Sequence, residues 1–248
     1  MSGITIGIIG VLAGLALIAL RVPIAVALGI VSFLGIIELT NVRAAWGIIT
    51  AVPFNFIGNW SFTAVPMFLL MGYVCTTSGM TTGLFRAMRV CLSRLPGGLA
   101  IASVGACSMF AAASGSSVAT ASAMARIAVP EMLRHKYHPG LSTGVIAASG
   151  TLGSLIPPSI LMVLYGVYAE VSIGKLFMAG FLPGLLSAAL YIAMIISRVK
   201  TNPALAGEVD ESFSAKEKWS AIKEVWALPA LIVFVLGGIF GGFFTPTE

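Results

Sequence analysis

The stretch GGLAIASVGACSMFAAASGSSVATASAMA, Gly97–Ala125, decides the fold. It is uncharged and consists mostly of Gly, Ala, Ser and Thr, residues that let helices approach closely. Arg86, Arg89 and Arg94 precede it, and Arg126, Arg134 and Lys136 follow it. A single crossing would put these basic clusters on opposite sides of a membrane, against the positive-inside tendency. A segment that enters and returns leaves both in the cytoplasm. In its middle, Ala113-Ser114-Gly115-Ser116-Ser117 reads as a turn with a good N-cap for a second half-helix. The expectation over 97–125 is a re-entrant helical hairpin with its tip near mid-membrane. Non-helical backbone at that depth survives only inside protein or beside a cavity.

Composition sets the frame. The 248 residues are 58% hydrophobic and 9% charged, with mean hydropathy +1.02. Soluble domains carry roughly 25% charged residues, so an all-α integral membrane protein is expected, a multi-span bundle. At about 20 apolar residues per crossing, the uncharged runs leave room for about six passages. The net charge of +5 reflects cytoplasmic loops and calls for no nucleic-acid partner. Cys75, Cys91 and Cys107 show no metal-binding spacing and read as packing residues. Ile4 to Leu20 lacks a basic n-region and reads as a retained first helix. In the uncharged 44–85 run, Pro53, Asn55, Gly58, Asn59 and Trp60 make a break, so 44–58 is expected at the interface and 62–82 across.

The second informative run is Tyr137 to Ala169, 33 uncharged residues. At about 1.5 Å per residue a continuous helix would be too long for the roughly 30 Å core. Gly150-Thr151-Leu152-Gly153-Ser154-Leu155-Ile156-Pro157-Pro158 supplies a break. Pro157 and Pro158 lack N–H groups, so the carbonyls of Gly153 and Ser154 lose their helical donors. Charge bias makes 137–169 cross outward, 176–197 inward and 225–247 outward again. The N-terminus then lies outside, and 201–224 forms an interfacial helix and loop.

The hairpin tip and this break should meet. Interrupted helices in transporters aim helix N-termini at anions and freed carbonyls at cations. Ser114, Ser116, Ser117 and Thr151 offer hydroxyls, and Gly150, Gly153 and Ser154 offer carbonyls. Such a neutral oxygen shell suits Na+. Neither 95–125 nor 137–169 holds an acidic residue, which favours sodium over proton coupling. Packing is the competing role for any one of these small residues. An enzyme is not expected: there is no G-x-S-x-G, and His135 and His138 lie beside Arg134 and Lys136, away from the tip. A channel whose re-entrant loop is a selectivity filter is the alternative, although no charged ring or repeated filter sequence is present.

Ala112-Ala113-Ser114-Gly115-Ser116-Ser117-Val118-Ala119-Thr120-Ala121 with Gly150-Thr151-Leu152-Gly153-Ser154-Leu155-Ile156-Pro157-Pro158-Ser159 resembles the large, DctM-like membrane subunit of the tripartite ATP-independent periplasmic (TRAP) transporters. Ser61-Phe62-Thr63-Ala64-Val65-Pro66-Met67-Phe68 and Phe244-Thr245-Pro246-Thr247-Glu248 fit the same family. Tricarboxylate transporters and divalent-anion symporters share its architecture. The resemblance implies a Na+-driven, elevator-type secondary transporter in the bacterial inner membrane. It would import organic acids of the C4-dicarboxylate or sialic acid type, delivered by a periplasmic binding protein, with a small membrane subunit as partner. It implies scaffold helices in 1–85, half of a transport domain in 86–175, and further spans with a 198–224 linker in 176–248. Ser114, Ser116 and Gly153 are then the leading sodium positions, with Gly150, Thr151 and Ser154 beside them. Ser117, with Ser116 and Pro157, would face the substrate carboxylate. The family's large subunit is far longer, and this chain stops where a second inverted repeat is expected to begin. Alone, these 248 residues are expected not to transport.

Overall fold

The computed structural model describes residues 3–207 and 213–246, and among them all regular structure is helical. Thr247 and Glu248 of the terminal motif, and 208–212 of the expected linker, lie outside the described residues. Contacts divide the chain into two compact units, 1–59 and 60–248.

The first unit is three apolar helices, α1 (Gly3–Ala19), α2 (Ile24–Leu39) and α3 (Val42–Ile57). α1 packs on α2, and α2 on α3. Gly10 and Gly14 on α1 lie against Val31, so the helix backbone approaches α2 closely. Asn41 caps α3 by accepting the Ala44 amide at 2.8 Å, and Trp46 meets Phe33 edge-on at 5.3 Å between ring centroids. The segment expected at the interface, 44–58, is thus a capped helix that carries Pro53 within it.

In the second unit a 3-10 turn, Trp60–Thr63, leads into α4 (Ala64–Thr77). The crossing expected over 62–82 ends early, because Gly79, at φ +79°, turns the chain into a separate helix, α5 (Met80–Leu92). Leu84, Phe85, Ala87 and Val90 are buried on α5, while Arg86 is exposed. The hairpin follows as α6 (Gly98–Ser114) and α7 (Ser117–Arg134). α7 runs past residue 125 and carries Arg126, Pro130 and Glu131 inside the helix. The interrupted run is α8 (Pro139–Gly150), α9 (Leu152–Leu155) and α10 (Ile160–Tyr168). α11 (Ile173–Thr201), α12 (Ala215–Glu224) and α13 (Ala227–Phe240) complete the unit.

α6 is the axis of this unit, and most of its residues are buried. α4, α5, α7, α8, α9, α11 and α13 all pack on it. Its Ala, Gly and Ser side chains are small enough to admit neighbours all round, and burial on every side is what a helix apolar all round requires. Cys75 and Cys107 are buried, consistent with packing roles.

Among the described residues two helical segments are long and apolar enough to cross a membrane, Trp60–Thr77 and Ile173–Thr201. Two bent pairs qualify if each is one span: Pro139–Leu155 with Ile160–Tyr168, bent by 43°, and Ala215–Glu224 with Ala227–Phe240, bent by 54°. α1, α2, α3 and α6 are apolar but only 16 or 17 residues long. At about 1.5 Å per residue that falls short of a roughly 30 Å hydrocarbon core.

Candidate functional site

The turn between α6 and α7 is built by three small residues. Gly115 adopts φ +60°, a left-handed conformation that costs glycine little, and ends α6. Ser116 is extended and caps α7 by accepting the Ala119 amide at 3.3 Å. The Ser114 hydroxyl, fully buried, shares a 2.7 Å hydrogen bond with Thr120 Oγ1 and lies 3.5 Å from the Ser116 carbonyl. The Ser114 and Thr120 hydroxyls therefore satisfy each other across the turn.

The break in the second element comes up against this tip. After α9 the chain is non-helical through Ile156-Pro157-Pro158-Ser159, all buried. The Ile160 amide then donates to the Gly115 carbonyl at 3.0 Å. Gly153 lies so close to the tip that an added Cβ would sit 2.7 Å from the Ser116 carbonyl carbon and oxygen. A Cβ on Gly150 would come within 2.6 Å of Ala121 Cβ. On the other flank, one on Gly72 of α4 would lie 3.0 Å from Ser114 Cα. The two interruptions meet backbone to backbone, and side chains could not fit between them.

Ser114, Ser116, Ser117, Gly150 and Gly153 thus gather along one seam, with Pro157 buried in the break. Thr151 and Ser154 are arranged differently. The Thr151 hydroxyl donates to the Ala148 carbonyl at 2.6 Å and meets the Tyr191 hydroxyl of α11 at 3.3 Å. Ser154 spends its hydroxyl on the Thr151 carbonyl at 2.7 Å. Of the two carbonyls that the proline pair deprives of helical donors, that of Ser154 accepts from the Ser159 hydroxyl at 2.9 Å.

Electrostatically the seam is made of dipoles. Neither 98–125 nor 139–168 contains an acidic residue. The N-termini of α7 and α10 both open here, each contributing partial positive potential. Neutral oxygens stand beside them, chiefly the Ser116 carbonyl and the serine hydroxyls. Among the described residues no cluster of His, Cys, Asp and Glu could hold a metal ion. The donor set therefore fits a weakly demanding hard cation better than zinc.

A groove of about 610 Å³ runs from this tip along α7 and α4. Gly72, Tyr73, Ser114, Ala119, Ser122 and Arg126 are among its lining residues. Ala119, Ser122 and Arg126 are spaced i, i+3, i+7, one face of the helix that starts at the tip. The sequence reading treated Arg126 only as a marker of the cytoplasmic side. The signal that places it on the groove is this spacing from Ala119, three residues after the Ser116 cap.

At the base of the hairpin, Arg89 of α5 forms an ion pair with Glu131 of α7. Its second terminal nitrogen lies 3.1 Å from His135 Nε2, which is itself 3.5 Å from the Glu131 carboxylate. A guanidinium only donates, so Nε2 accepts in this arrangement. Tyr137, which is buried, accepts the Leu99 amide at 3.3 Å, and His138 caps α8 by accepting the Gly140 amide at 3.1 Å. The histidines serve structural contacts at the hairpin base, away from the seam.

Comparison with known proteins places this sequence. The sequence profile described as "Tripartite ATP-independent periplasmic transporter, DctM component" matches residues 11–248. The chain is 44% identical over 192 residues to the C4-dicarboxylate TRAP transporter large permease protein DctM of Pseudomonas aeruginosa, covering 77% of this chain and 44% of that one. It is 41% identical over 231 residues to the protein of the same description from Vibrio cholerae, covering 92% and 49%. It is also similar to the sialic acid TRAP transporter large permease protein SiaM of Vibrio cholerae, 34% identical over 194 residues, covering 77% and 44%. The chain spans about half the length of these relatives. These relatives are transporter permeases and not enzymes. The chain belongs to the DctM family of large membrane permeases of tripartite ATP-independent periplasmic transporters.

Proposed function

We propose that this chain forms part of a sodium-coupled permease that imports organic acids across a bacterial inner membrane by an elevator-type movement. The observation that carries the reading is the seam, where the turn of the α6–α7 hairpin and the break before α10 bind each other through backbone groups. In this reading α6–α7 is re-entrant and moves with α8–α10 as one body. Na+ binds among the oxygens of Ser114, Ser116, Gly150 and Gly153, with Thr151 and Ser154 beside them as the outer part of the set, their hydroxyls and carbonyls already holding the unwound segment together. An ion there fixes the tip, and the fixed tip presents the N-terminus of α7, Ser116 and Ser117, with Pro157 behind them, to a substrate carboxylate. Substrate and ion then bind cooperatively because both select the same tip conformation.

The groove adds a fixed charge. Arg126 stands on the α7 face that leads away from Ser114, where an anionic substrate would find it. The relatives' names cover both a C4-dicarboxylate and a sialic acid permease, so carboxylate is the feature such substrates share. A tripartite system supplies two further components, here a periplasmic substrate-binding protein and a small membrane subunit. Family membership does not favour the channel alternative.

The test is uptake into proteoliposomes that contain this sequence within a permease of the relatives' full length, its small membrane subunit and its binding protein. Radiolabelled C4-dicarboxylates and sialic acid are offered with and without an inward Na+ gradient. Concentrative uptake that needs both gradient and binding protein is the expected result. Passive flux indifferent to both would overturn it.

A further inference from the structure

We propose that α12 is a membrane-surface helix, seated in the phospholipid headgroup layer with Trp219, Ile222 and Trp226 among the upper acyl chains and Lys216, Lys218 and Lys223 at lipid phosphates. The inner side of α12 is accounted for by protein. Ala221 and the following Val225 are buried, α12 packs on α5, and Val225 reaches the backbone of α5 at Gly83. The outer side is not. Trp219 and Ile222 are 62% and 47% exposed and, three residues apart, share one face of α12, while Trp226, 69% exposed, follows in the turn that leads into α13.

The charges flank that face. Both carboxylates of the helix are engaged: Glu217 accepts the Ser214 amide at 2.7 Å in a capping box, and Glu224 pairs with Arg86 at 3.5 Å. Among the described residues Lys216, Lys218 and Lys223 have no ion pair, and the Lys223 ammonium lies 5.7 Å above the Trp219 ring. Glu208, Asp210 and Glu211 precede the helix in sequence and lie outside the described residues. Two indoles beside three lysines are the combination that suits the headgroup boundary, where each side chain keeps its apolar body in lipid and its polar end in water. Continuity settles the choice of lipid over a protein partner. At Val225 and Trp226 the chain bends by 54° into α13, a wholly apolar helix, so the exposed aromatics stand where a surface helix turns into the bilayer. The proposal needs only that the helices lie in a membrane, and it stands whether or not the hairpin carries substrate.

The test uses the assembled full-length transporter in nanodiscs, with the native cysteines replaced and Ile222→Cys carrying an environment-sensitive fluorophore. Lipids bearing a nitroxide near the headgroup, or near the end of the acyl chain, are the quenchers. Shallow nitroxides are expected to quench several-fold more than deep ones, because such helices sink about 5–10 Å into the headgroup boundary. Lys216→Glu, Lys218→Glu and Lys223→Glu together are expected to reduce the shallow quenching, with an unchanged thermal unfolding midpoint reporting that the transporter still folds. Three outcomes overturn the proposal. Absence of quenching by either lipid means the face is covered by another subunit or faces water. Stronger deep quenching means α12 continues as a span. Quenching unchanged in the lysine variant removes the headgroup contact.

Discussion

The Ile160 amide, at the start of α10, donates to the Gly115 carbonyl in the turn between α6 and α7, 3.0 Å away. This bond joins two interruptions that are 45 residues apart in sequence and satisfies an orphan group of each: a carbonyl at a helix C-terminus and an amide at a helix N-terminus. Anything that spreads the seam breaks it.

Gly153→Ala is the sharpest way to spread it. The new methyl would stand 2.7 Å from the Ser116 carbonyl, against backbone that cannot rotate away. Overpacking of this kind costs about 1–3 kcal/mol. The thermal unfolding midpoint of the purified permease should fall, and its rise on adding Na+ should shrink. Gly144→Ala, in α8 with nothing within 4 Å of its added methyl, is the control. There, removing a helix-interior glycine should leave stability unchanged or raise it by about 0.5–1 kcal/mol. Equal behaviour of the two variants would refute the close contact.

The serines of the tip separate by what each one holds. Ser114→Ala leaves Thr120 buried without its 2.7 Å partner, a loss of about 1–3 kcal/mol. Ser114→Ala with Thr120→Val removes both polar ends and should recover part of that loss, a positive coupling readable in a double-mutant cycle. Ser116→Ala removes the α7 cap, worth about 1 kcal/mol of stability, together with a hydroxyl of the proposed Na+ set. It should weaken the Na+ dependence of uptake more than it lowers expression. A collapse of expression instead would assign Ser116 to packing.

How much of this could be read beforehand follows from the kind of signal each residue carries. Ser114-Gly115-Ser116 and Pro157-Pro158 announce themselves, because glycine, a capping hydroxyl and missing amides act locally and sit where the chain must break. The α5 boundary did not, since Gly79 lies inside an uncharged run and only its φ of +79° shows that the chain turns there. Thr151 was placed with the site by proximity in sequence. Facing Tyr191 depends on the phase of a helix leading into an unwound segment, which residue spacing does not fix. Arg126 carries a charge that also marks the cytoplasmic side of a membrane, and that stronger signal masks its place on a helix face.

Arg126 gives the substrate-side prediction. It is exposed on the groove, so Arg126→Gln should leave folding and expression close to the parent. The half-saturating substrate concentration should rise by about tenfold or more, the loss of one charge-assisted contact at roughly 1.5–3 kcal/mol. Titrated uptake measures it, and Arg126→Lys should restore only part of the affinity because a lysine cannot present two parallel donors. An unaltered half-saturation value would remove Arg126 from the substrate path.

The clasp at the hairpin base is testable without any transport assay. Arg89 and Glu131 are 20% and 23% exposed, enough shielding for the pair to matter and too little water to solvate either one alone. Arg89→Glu sets two carboxylates together beside His135 and should lower the unfolding midpoint markedly, on the order of 2 kcal/mol or more. Glu131→Arg alone confronts Arg89 with a second guanidinium and should do the same. Combining the two recreates an ion pair of opposite polarity. It should recover much of the midpoint but not all, because the guanidinium would then stand one helical turn from His135 on α7 itself, and the bridge from α5 to the imidazole would be gone. If the double swap is no more stable than the worse single variant, the interaction between α5 and α7 is one of packing, and the hairpin base owes its position to Leu84, Val90 and the small residues of α6.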